Sequence, residues 1–161
     1  MKKFESQKGF TLIEILVVIG MIALLATIVL IAINPARQFK QGRDTQRTSN
    51  VNAILNAYGQ RLADGKGTFA GAGCTDIPAA AVDVASAVTM SSGGYNIRPC
   101  LVSTYISSLP FDPSSGAACS PSEATCTTYD TGYKIYKDAS SRITVFAPST
   151  ELAPSAISVT R

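Results

Sequence analysis

Few side chains in this sequence can do chemistry, and the first is Glu14, a carboxylate in the run 10–33, which is otherwise apolar except for Thr11, Gly20 and Thr27. An ionisable group in such a run is costly to hold in hydrocarbon and is usually functional. Next come four cysteines, Cys74, Cys100, Cys119 and Cys126, all beyond the apolar run among Gly, Ser and Pro. The alternatives for them are two disulfides, four thiols or one zinc site. No spacing is the short Cys-x-x-Cys of a zinc ribbon, so we read disulfides, which require an oxidising compartment. Histidine is absent. Imidazole zinc sites, Ser-His-Asp triads and Cys-His dyads are thereby removed, and the acids are scattered singly, so no catalytic constellation can be named. The expectation is a protein that is not an enzyme and uses no cofactor.

Those residues must be placed by a chain of 161 residues, enough for one small domain once the apolar run is set aside. Lys and Arg number 14 against 11 Asp and Glu. Lys2, Lys3 and Lys8, set against Glu5, supply most of that excess before residue 10, so the remainder is nearly neutral. Nucleic-acid surfaces need clustered cations, so no specific nucleic-acid partner is expected.

As a helix, residues 10–33 span about 36 Å, enough to cross a hydrocarbon core of roughly 30 Å. A secretory signal peptide also pairs a basic start with an apolar run, but its run is shorter and ends in a small-x-small cleavage site. No Ala-x-Ala occurs between Gly20 and Arg37. Positive charge flanks both ends, with Arg37, Lys40, Arg43 and Arg47 beyond the span, so the positive-inside rule alone does not orient it. Disulfides would place the C-terminal part outside.

The stretch Lys8-Gly9-Phe10-Thr11-Leu12-Ile13-Glu14 resembles the class III signal of type IV pilins and type II secretion pseudopilins. The resemblance implies removal of a leader, residues 1–9, by a membrane prepilin peptidase that cuts between Gly9 and Phe10 on the cytoplasmic side and methylates the new terminus. Phe10 would be that N-methylated residue and Glu14 the acid that serves assembly. Physically, Gly9 lets the backbone lie extended in a protease cleft. Glu14 lies one helical turn from Phe10, so subunits packed side by side can pair one carboxylate with a neighbour's terminal ammonium.

Pro35 cannot donate to the carbonyl of Ile31, so the helix is expected to kink or melt at Asn34-Pro35. Beyond it, Val51, Ile54, Leu55, Tyr58 and Leu62 form an apolar stripe ending at Asp64-Gly65-Lys66-Gly67. The organisation read from this is leader 1–9, membrane and assembly half of the helix 10–33, amphipathic half 34–63 and globular head 64–161. The fold class is α+β: a long N-terminal helix packed on a small antiparallel sheet, with a disulfide-stapled loop region.

Within the head, a loop region 64–130 is expected to hold short helices over 77–90 and 101–109. A β-hairpin over 132–147 and a C-terminal tail, 148–161, follow. Pairing Cys74 with Cys100 and Cys119 with Cys126 is one of three connectivities. Leu109-Pro110-Phe111-Asp112-Pro113 is similar to a Pro-x-Asp-Pro turn that precedes the sheet in many pseudopilins. Some of those bind calcium, which makes Asp112, Asp130 and Asp138 candidate oxygen ligands. The dense Asp spacing of a calcium loop is missing, so these read as turn-forming aspartates and no metal is expected.

The functional expectation is a pilin of a type IV pilus-like surface filament, with a major pseudopilin of a type II secretion or DNA-uptake system as the alternative. A membrane-anchored binding domain is the rival from a different class. Implied partners are other copies in a helical homopolymer, the prepilin peptidase and methyltransferase, the assembly platform with its ATPase, and the membrane. The implied location is the cytoplasmic membrane before assembly and the cell surface after it.

Overall fold

A computed structural model describes residues 9–71, 73–79 and 87–161. The leader positions 1–8 lie outside the described residues. The chain divides into two compact units between Phe39 and Lys40.

In the first unit, α1 (Leu12–Ile33) is apolar all round and buries none of its side chains against protein. Its mean hydropathy is 3.1 and it is long enough to cross a membrane. Thr11 caps it, and Asn34 ends it in the left-handed region at φ 48°. Asn34 also begins the next helix: its Oδ1 and carbonyl oxygen accept from the Arg37 amide at 3.3 and 3.0 Å. Pro35 then fills the first position of α2 (Pro35–Asp64), where a missing N–H costs nothing. The helical run is thus two helices meeting at Asn34-Pro35. At the far end of α2, Lys66 and Gly67 take positive φ and the Gly67 amide donates to the Leu62 carbonyl at 2.8 Å.

In the second unit, α2 turns Val51, Ile54, Leu55, Ala57 and Tyr58 into the core. They meet Met90, Ile97, Leu101, Tyr133, Ile135, Ile143 and Val145. The five strands are β1 (Val88–Ser91), β2 (Ala117–Ser120), β3 (Thr128–Lys137), β4 (Ile143–Ala147) and β5 (Ile157–Thr160). Their antiparallel order is β1-β3-β4-β5, with β2 also paired to β3. On β3, Tyr129, Thr131, Tyr133 and Ile135 alternate inward, the period-two pattern of a sheet with one covered face. The turn into β4 is held by Asp138, whose Oδ1 accepts from the amides of Ser140 and Arg142, each at 2.8 Å.

Three expectations are corrected. Within 77–90, residues 80–86 lie outside the described residues, Ile77 to Ala79 are not helical, and Val88 to Met90 belong to β1. Val88 stands opposite Ile135, so pairing with β3 overrides local helix preference there. Over 101–109 there is no continuous helix; a single turn, α3 (Arg98–Leu101), precedes it. The tail 148–161 carries β5, which completes the sheet beside β4. The disulfides are Cys74–Cys100 and Cys119–Cys126.

Candidate functional site

The N-terminal site is built on the first turn of α1. Phe10 is 85% exposed and a Cβ added at Gly9 would meet nothing within 4 Å, so among the described residues nothing crowds the Gly9-Phe10 bond. Thr11 and Glu14 form a capping box: the Glu14 amide donates to Thr11 Oγ1 at 3.3 Å, and Glu14 Oε2 accepts from the Thr11 amide and hydroxyl, each at 2.8 Å. Both bonds go to one carboxylate oxygen. Among the described residues Oε1 has no donor, so the local cap fixes the side chain while leaving an acceptor presented outward.

A second polar cluster lies inside the head. Arg47 and Asp112 are both fully buried, with Nε to Oδ2 at 2.7 Å and Nη2 to Oδ1 at 3.1 Å. Arg47 also donates to Asp44 Oδ1 at 2.7 Å, Glu151 Oε1 at 3.2 Å and the Ser114 hydroxyl at 2.6 Å. Arg43 donates to both Glu151 oxygens at 2.5 and 2.6 Å. Asp44 in turn accepts from the amides of Glu151 and Leu152 at 3.1 and 2.9 Å. One turn of α2 thereby holds two distant loops, 111–116 and 149–152. Guanidinium groups suit this because their planar donors satisfy several carboxylates together.

The titrations follow from these contacts. Burial pushes the Asp112 carboxyl up, but Arg47 and the donors from Ser114 and Ser115 outweigh it and hold it well below the usual carboxylate range. Glu151 is lowered to about 2, chiefly by its hydrogen bonds from Arg43, against a desolvation penalty and with help from Arg47. For Asp44, burial raises the value, and the amides of Leu152 and Glu151 together with Arg47 reverse this and lower it.

The three candidate oxygen ligands are not brought together. Asp112 faces Arg47, Asp130 Oδ1 accepts from the Gly132 amide at 2.8 Å, and Asp138 sits in the hairpin turn. No group of three or more metal-ligating side chains occurs among the described residues. Arg47, Asp44 and Glu151 were missed from sequence. A signal existed: Arg47 stands four residues before Val51 on the apolar stripe, and a charge on a buried face needs a buried partner.

A family model, the prokaryotic N-terminal methylation motif, matches residues 6–30. The chain therefore carries at its N-terminus a class III signal of the type IV pilin and pseudopilin kind, followed by an α+β head. Comparison with curated proteins and with solved structures found no match.

Proposed function

We propose that this chain is a pilin, the structural subunit of a type IV pilus-like surface filament. Prepilin peptidase cuts it between Gly9 and Phe10 and methylates Phe10. The observation that carries this reading is the methylation motif over 6–30 placed directly on a helix whose apolar surface is wholly unburied by its own chain. Such a surface needs lipid before assembly and other copies of the same helix afterwards.

Glu14 supplies the register. Its Oε1 accepts the Phe10 ammonium of an adjacent subunit, while Thr11 keeps Oε2 in place. A lone carboxylate in hydrocarbon is unfavourable, so docking that provides a cation drives the subunit into the fibre at one height. The head does no chemistry in this scheme. It forms the fibre's outer surface, braced by two disulfides and the Arg47 cluster. The assembly platform and its ATPase lift the subunit out of the cytoplasmic membrane.

The test is compositional. Fibres sheared from cells should consist mainly of this chain and disappear when its gene is deleted. Absence of surface fibres together with loss of protein export or DNA uptake would favour the pseudopilin alternative. A chain found only as a membrane-bound monomer in wild-type cells would overturn both.

A further inference from the structure

The cations just beyond the apolar span divide sharply into two kinds. Arg43 and Arg47 are consumed by Glu151, Asp44 and Asp112. Arg37 and Lys40 are exposed, and among the described residues neither side chain has a hydrogen bond or ion pair. Between them Phe39 is 68% exposed. Arg37 and Lys40 are three residues apart on α2, so they are neighbours on the helix surface.

Position along the chain identifies what these side chains meet. Arg37 follows Ile33, the last residue of α1, by four residues, and the interfacial layer on each side of the hydrocarbon is roughly 5–7 Å thick. Long cationic side chains at that depth reach phosphate oxygens while their methylenes stay with the acyl chains. An exposed aromatic ring is favoured at the same boundary.

We infer that Arg37, Phe39 and Lys40 form a docking collar for anionic phospholipid headgroups, which sets the depth of the unassembled subunit in the membrane. This rests on the reading of α1 as a membrane span. The collar acts on the leaflet where the head emerges. Its cations are released from lipid when the subunit leaves the membrane.

The test uses the full-length chain in lipid nanodiscs, made either of phosphatidylcholine alone or with added phosphatidylglycerol. A fluorophore is attached at Gln38→Cys, the four native cysteines being bridged, and its exposure is read by quenching with neutral acrylamide. Two cations near an anionic surface favour the bound state by roughly thirtyfold, so quenching should fall about twofold or more when phosphatidylglycerol is present. High salt should reverse the fall. The double variant Arg37→Gln, Lys40→Gln should lose the lipid dependence, and a label at exposed Ser140 should never show it.

Equal quenching in both lipids, or a double variant that behaves as wild type, overturns the inference. So does a double variant that enters fibres poorly in the absence of any lipid effect, because the cations would then serve a neighbouring subunit. Resistance to alkaline extraction reports membrane insertion separately. A chain that fails to insert refutes the span itself, whereas insertion without lipid dependence refutes the collar alone.

Discussion

The Arg47 guanidinium and the Asp112 carboxylate lie 65 residues apart in sequence and meet through two hydrogen bonds at a site where neither has solvent contact. Removing one partner leaves an uncompensated buried charge. Arg47→Ala should therefore destabilise the head by about 3–5 kcal/mol in urea unfolding. The double variant Arg47→Met, Asp112→Asn should recover a large part of that, because Asn keeps an acceptor for the Ser114 and Ser115 amides. Additive losses in the double variant would show that the two residues act independently.

Acid should loosen the same cluster. Asp112, Asp44 and Glu151 all have carboxyls depressed below their ordinary values, Glu151 from 4.5 to about 2. A depressed carboxylate contributes its stability in full above the unfolded value and loses it as pH falls through the folded one. The melting temperature should thus be level near neutrality and decline from about pH 5 downward, continuing below pH 3. Glu151→Gln should flatten part of that decline. A melting temperature independent of pH over this window would contradict the linkage.

The two disulfides should differ in accessibility. Cys74 and Cys100 are 6% and 2% exposed, and their bridge closes a loop tied to α2 by Arg61, which donates to the carbonyls of Phe69 and Cys100. Cys119 and Cys126 are only half-buried and close a short loop beside β2. Mild reductant should open Cys119–Cys126 first with little loss of stability. Replacing Cys74 and Cys100 by alanine should cost about 2–4 kcal/mol. Simultaneous reduction of both bridges, followed by mass spectrometry of alkylated chains, would contradict the difference.

The methylation motif was legible because its residues are contiguous, Gly9, Phe10 and Glu14 lying within six residues of one another, whereas the Thr11 cap on Glu14 was not read from sequence. The helix break was equally local, since Pro35 carries its restriction in its own ring. The head was harder. β1, β2 and β5 have four residues each and become strands only by pairing with β3 or β4, so nothing nearby in sequence announces them. Gly132 illustrates the same limit: it takes a φ of +69°, and a would-be side chain there would lie 2.9 Å from the Cβ of Asp112, in a turn twenty residues upstream. The pairing of Arg47 with Asp112 was illegible for this reason too, although the charge on the buried stripe announced that some partner had to exist.

Glu14 offers a test that separates charge from capping. Glutamine also fills the third position of a capping box, so Glu14→Gln keeps the local bonds to Thr11 and removes only the negative charge. Such chains should be cut normally yet enter fibres poorly, also when mixed with wild type. Wild-type incorporation of Glu14→Gln would mean that the carboxylate serves only to start α1.

The intact mass of the subunit in isolated fibres tests the central claim most directly. Processing at the Gly9-Phe10 bond predicts a chain lacking its first nine residues, beginning at Phe10, carrying one additional methyl group on its terminal nitrogen and retaining both disulfides. A subunit that still begins at Met1, or one whose terminus lies near Arg37 after loss of the whole apolar segment, would contradict the pilin reading.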